Sequence, residues 1–148
     1  VELRPGTAPP RTRRDAGFSA VTRLAIRTRA GNGDPDDARC EATGVWLGRY
    51  GGEIQHRNAR RAGGSRLRNN IANGALLSGE AHRLAESRDP HMHEAGFWLL
   101  STEDALLVAI LLAGADGGIQ VWLDDAAHYV DQDGNILTAP RPHLGGAA

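Results

Sequence analysis

The sequence predicts a single α+β domain, and three observations carry that expectation. Val21, Leu24 and Ala25 recur at three- and four-residue spacing, as one side of a helix requires. Ile119-Gln120-Val121-Trp122-Leu123 alternates as a half-buried strand does. A length of 148 residues suffices for one domain with a modest core and is short for two.

The elements follow in order. Residues 1–15 are rich in Pro, Thr and Arg and are expected to form a flexible arm. Phe18 to Arg29 is the first amphipathic helix, and AGNGDPDDA after it is turn material. Val45-Trp46-Leu47 is a second apolar element, broken by Gly51-Gly52, and Glu53 to His56 is a short strand expected to return beside it. Arg57 to Asn70 is an arginine-bearing loop, and Ile71 to Leu77 brings the chain back through the turn signal Asn73-Gly74. Ser78 has the hydroxyl to cap a helix running through EAHRLAES. Asp89-Pro90 signals a second helix start, closed by Gly96. Phe97 to Leu100 is expected to be extended, with a turn or short helix before Leu106 to Leu112. Asp133-Gly134-Asn135 predicts a hairpin turn, and residues 137–148 a flexible tail.

Composition excludes several classes. The longest strongly apolar run, Ala105 to Ala113, is far too short to span a bilayer. No apolar segment follows the charges at the start, so no secretory leader is read there and a cytoplasmic location is the expectation. One cysteine, Cys40, excludes an internal disulfide. All 17 basic residues are arginine, and the formal net charge is only -1, which argues against indiscriminate coating of nucleic acid. The local distribution is different. Arg57, Arg60, Arg61, Arg66 and Arg68 crowd one loop without an acid, and such a loop repels itself unless a partner supplies anions.

The chemistry concentrates in residues 53–86. His56 stands where a strand yields to the loop, Asn73 follows the loop, and His82 and Glu86 share a helix face at four-residue spacing. A histidine that takes a proton from water, a metal that polarises a phosphate and arginines that hold flanking phosphates make a phosphodiester-cleaving set. His91 and His93 are two apart on a predicted helix, point apart, and make no such set.

The run EIQHRNARRAGGSR with NNIANGALLSGEAHRLAES resembles the HNH endonucleases of actinobacteria and their phages, and the likeness extends over about residues 18–136. It implies a ββα-metal (His-Me finger) core, a two-stranded ribbon and loop packed on a helix, with extra helical and β-hairpin elements. The nuclease domain would then span residues 16–136. Position by position, the resemblance makes His56 the general base, Asn73 the residue that orients the base and stiffens the loop, and His82 the metal ligand on the helix. Gln55 occupies the second ligand position, where the family carries Asp or His, and Glu86 is the nearest residue to supply the charge Gln55 lacks. The implied cofactor is Mg²⁺ or Mn²⁺ and the implied substrate DNA, with a phage or mobile-element protein as a further partner. His56 and His82 are expected to share one cavity. Cys40, Thr43, Ser78 and Ala81 stand where relatives carry a zinc knuckle, so no structural zinc is expected. Packing of Trp46, Ile54, Leu76, Leu77 and Leu84 is expected to replace it. The alternative is a catalytically degenerate protein of the same fold that binds nucleic acid or protein as a structural or regulatory component.

Overall fold

The computed structural model of the chain describes residues 17–59, 69–114, 117–138 and 140. These form an α+β fold with three helices and two small antiparallel sheets. Helix α1 spans Ala20–Ala30, β1 Glu53–His56, β2 Gly74–Leu77, α2 Gly79–Glu86, α3 Pro90–Glu94, β3 Ile110–Gly114, β4 Gly117–Leu123 and β5 Tyr129–Val130. The arm at 1–15 and most of the C-terminal tail lie outside the described residues. Leu137 is tied in, because its amide donates to Tyr129 O at 2.8 Å and its side chain packs on the core. Among the described residues no helix is long and apolar enough to cross a membrane.

The caps of α2 and α3 follow the sequence signals, and Ser19 adds one at α1, which starts two residues later than expected. Ser19 Oγ accepts from the Thr22 amide at the start of α1, Ser78 Oγ from Ala81 at the start of α2, and Asp89 from His91 and Met92 at the start of α3. Strand β1 does not pair with Val45–Leu47. It runs antiparallel to β2, with Glu53 opposite Leu77 and His56 opposite Gly74. Val45 and Trp46 face solvent, and only a single bridge, Arg39 to Trp46, forms there. β2 is buried along its whole length and offers the apolar partner that the exposed segment does not. The expected turn or helix before Leu106 is a run of turns, with Asp104 Oδ1 accepting from the Leu106 amide, and β3 starts only at Ile110. β3, β4 and β5 form the second sheet, in which Ile110 pairs with Val121 and Trp122 with Val130.

Two apolar clusters flank the β1–β2 hairpin. The larger joins Cys40, Leu77, Ala81, Ala85, Met92 and Phe97 to the β3–β4 sheet. The smaller gathers Phe18, Ile26, Ala30, Ala38 and Leu76. Gly74 permits the close approach of α1, since a Cβ there would lie 2.4 Å from Ile26 Cδ1. The buried side of α1 is Ile26, Arg29 and Ala30; Val21 and Leu24, expected inside, are exposed. Trp46 and Leu84, also expected in the core, are 58% and 45% exposed, while Leu76 and Leu77 are fully buried. Their replacement is polar as well as apolar.

That polar element is Glu41. Its carboxylate accepts from Arg29 Nε at 2.9 Å and Nη2 at 2.8 Å, from the Leu76 amide at 2.8 Å and from Tyr129 OH at 2.5 Å. Its backbone exchanges with Leu76 O and the Ala113 amide. One buried residue therefore ties α1, β2, β3 and β5 together. Burial opposes its charge, but Arg29 and the hydrogen bonds from Arg29, Tyr129 and Leu76 outweigh that and hold the carboxyl below its ordinary pKa. Burial likewise disfavours the Arg29 cation, and Glu41 with Tyr129 reverses it, so its pKa is raised.

Candidate functional site

Strand alternation divides the site residues between two faces of β1. Glu53 and Gln55 look toward α2, where Glu53 Oε1 lies 3.4 Å from His82 Nδ1. Ile54 and His56 look toward α1, where the His56 imidazole stacks on Phe18 at 4.1 Å between centroids and 14° between planes. His56 Nε2 lies 2.9 Å from Asn69 Oδ1.

Asn73 is buried and clamps the backbone just beyond His56. Its Oδ1 accepts from the Asn58 amide at 2.8 Å and its Nδ2 donates to Asn58 O at 3.3 Å. Asn58 Nδ2 in turn donates to Leu100 O and Glu103 O. The strand end carrying His56 is thus fixed by side chains on both sides of the loop.

A cleft of about 220 Å³ opens beside this strand end, lined by Gln55, His56, Ala85, Glu86, Arg88 and Trp98 among others. Gln55 is buried, and its Nε2 donates to His56 O at 3.0 Å, which leaves its Oε1 as the amide atom that could hold a cation. Glu86 brings the carboxylate. His82 does not line this cleft; it sits one turn earlier on α2, with Glu86 Oε2 3.9 Å from its Nε2. This cleft therefore does not bring His56 and His82 together, and Glu86 is the α2 residue that lines it with His56. Among the described residues no group of three His, Cys, Asp or Glu side chains is placed to hold a metal ion. Gln55 Oε1 and the Glu86 carboxylate are hard oxygen donors of the kind Mg²⁺ and Mn²⁺ take, in a set that leaves most positions to water and phosphate.

Arg57, expected among the phosphate-contacting arginines, has a different task. It is 1% exposed, and its guanidinium donates to Gly96 O at 2.8 Å, Ala72 O at 2.9 Å, Ala105 O at 2.9 Å and Val108 O at 2.6 Å. Burial, and next the neighbouring Arg29, lower its pKa to about 9, so it remains a cation at neutral pH. Its donors are turned inward onto irregular backbone that lacks sheet partners. Arg60, Arg61, Arg66 and Arg68 lie outside the described residues.

Arg88, which no sequence motif marks, is a further cationic residue at the cleft. Arg88 ends α2 in the left-handed conformation, φ 63°, with its amide on Ala85 O at 3.1 Å. Its guanidinium lies 5.0 Å from the centre of the Trp98 ring. Trp98 is fixed through Nε1 to Asp89 O at 2.8 Å and packs on His93, 4.4 Å away, which meets Glu103 at 3.1 Å. The left-handed backbone costs a non-glycine residue about 1–2 kcal/mol. A cation over an indole and a cation at a helix C-terminus return about 0.8–2 kcal/mol together, so Arg88 gains the fold almost nothing. The signal available in the sequence was only an arginine before Asp89-Pro90, where a helix must already have stopped.

No protein-family model matches the chain, and neither a curated protein nor a solved structure matches it.

Proposed function

We propose that the chain is a metal-dependent endonuclease of the HNH, ββα-metal type that hydrolyses phosphodiester bonds in DNA. The observation that carries this reading is the β1–β2 hairpin followed at once by α2, with Gln55 and Glu86 on the α2 side of one cleft, His56 at its edge on the end of β1, and Asn73 clamping the chain beyond His56. Gln55 and Glu86 are the cleft residues that would hold Mg²⁺ or Mn²⁺, with His82 adjoining Glu86. The bound cation supplies neutralisation of charge on the phosphate and leaving oxygen. His56 takes the proton of the attacking water as the water oxygen bonds to phosphorus and the bond to the leaving oxygen breaks. Asn69 holds the imidazole in place, and Asn73 keeps the strand end from moving.

The test is plasmid cleavage across a Mg²⁺ and Mn²⁺ titration with wild type and His56→Ala. His56→Ala is expected to lose about 10²–10⁴-fold in rate, the usual loss of a general base, and to keep its binding to duplex. Cleavage equal to wild type would remove His56 from the reaction.

One observation favours the second reading, a degenerate protein that binds nucleic acid or protein. Gln55 is neutral, its amide is already used on His56 O, and His82 is engaged with Glu53. A wild type that binds duplex and never cleaves it at any metal concentration would select that reading.

A further inference from the structure

We infer that Arg88 is a phosphate-gripping residue of the cleft, held in place by Trp98 to bind the DNA backbone beside the scissile bond. The inference rests on the nuclease reading above and adds a contact that the arginine loop does not include.

Three independent features converge on it. Arg88 lines the same cleft as Gln55, His56 and Glu86, whereas the guanidinium of Arg57, the other arginine lining it, is consumed by four carbonyls. Its backbone is in a conformation that glycine adopts freely and arginine does not. The strain and the compensating ring and helix-end contacts offset each other, so stability alone does not select arginine here; strained residues of this kind cluster at ligand-binding positions. The third feature is the support behind it. Trp98 is pinned by Asp89 O on its polar edge and by His93 on its ring, so the indole is a fixed platform for the guanidinium. A planar guanidinium stacked in this way loses little freedom on binding and presents its fork of donors to phosphate oxygens. DNA backbone is the chemistry that fits, because the paired oxygens of a phosphodiester match the planar fork of guanidinium donors held over Trp98.

The experiment compares wild type, Arg88→Gly and Arg88→Lys in the full chain. Affinity for a fluorescent DNA duplex is measured with Ca²⁺ in place of Mg²⁺ or Mn²⁺ over a range of salt, and the melting temperature is recorded for each protein. Arg88→Gly relieves the left-handed strain, so it is expected to melt within a few degrees of wild type or above it. It is expected to bind duplex about ten-fold more weakly and to lose about 0.9 from the slope of log affinity against log salt, the share of a single phosphate. Arg88→Lys, with charge but no planar stack, should fall between the two. An Arg88→Gly protein with wild-type affinity and slope overturns this inference, and if cleavage still depends on His56 the nuclease reading stands without it. A wild type that binds no duplex overturns both.

Discussion

Replacing Glu41 by glutamine tests the polar core most directly. The substitution keeps the shape and removes the charge, so Arg29 remains a buried cation without its counter-ion and one of the four donors now facing the side chain meets an amide N–H. Breaking one partner of a buried pair costs about 3–5 kcal/mol. Against a total of about 5–15 kcal/mol for a domain, that is about a fifth of the stability or more. At about 2–4 °C per kcal/mol for a chain of this size, the melting temperature should fall by about 6–20 °C. The assay is thermal unfolding by far-ultraviolet circular dichroism and calorimetry between pH 3 and pH 8. Because the Glu41 carboxyl titrates below its ordinary value of 4.5 in the fold, its contribution is full above that value and is lost as pH falls through the lower, folded value. The difference between wild type and Glu41→Gln should therefore be widest at neutral pH and shrink in acid below about pH 4.5. A Glu41→Gln protein melting within about 2 °C of wild type at pH 7 would refute the reasoning, because a loss below 1 kcal/mol is not the loss of a buried pair.

Gln55→Asp places an anionic oxygen in the cleft beside Glu86, and it should lower the Mg²⁺ or Mn²⁺ concentration that supports half-maximal cleavage; a raised requirement in the plasmid assay would contradict the ligand role. Arg57→Ala leaves four carbonyls without their donor and should lower stability by about 3 kcal/mol or more, read by denaturant unfolding, with the salt slope of DNA binding unchanged in whatever protein folds. Replacing Arg60, Arg61 and Arg66 together should do the reverse: unchanged unfolding, and a salt slope shallower by about 0.9 for each phosphate no longer neutralised.

The legible parts of the sequence were those governed by local chemistry. Ser78, Asp89-Pro90 and Gly96 marked helix boundaries because caps and stops act over three or four residues. The alternation of Ile119 to Leu123 marked β4 for the same reason. What stayed hidden depends on partners far along the chain. The stripe Val21, Leu24 and Ala25 is the more apolar side of α1, yet the helix buries Ile26, Arg29 and Ala30, because Glu41 makes an inward arginine favourable. Nothing near Arg29 or Glu41 announces that pairing. Arg57 looked like its neighbours in an acid-free loop, and only carbonyls from residues 72, 96, 105 and 108 turn it inward. At the site, the strand end and Asn73 were legible as a unit, whereas the choice of Glu86 over His82 as the cleft residue is set by one turn of α2.

The Glu41 cluster also bears on how the molecule comes apart. Its partners are contributed by residues 29, 76, 113 and 129, so the carboxylate is satisfied only when most of the chain has been ordered. Such long separations delay the reward until late in folding. They also make the hairpin that carries His56 and Asn73 a dependent of the C-terminal sheet. A fragment holding only residues 53–86 leaves the Leu76 amide without its acceptor and the Gly74 carbonyl without Arg29. Trimming the chain to its shortest strand–strand–helix unit should yield an unstructured peptide, and loss of the final strand should silence a site that it never touches.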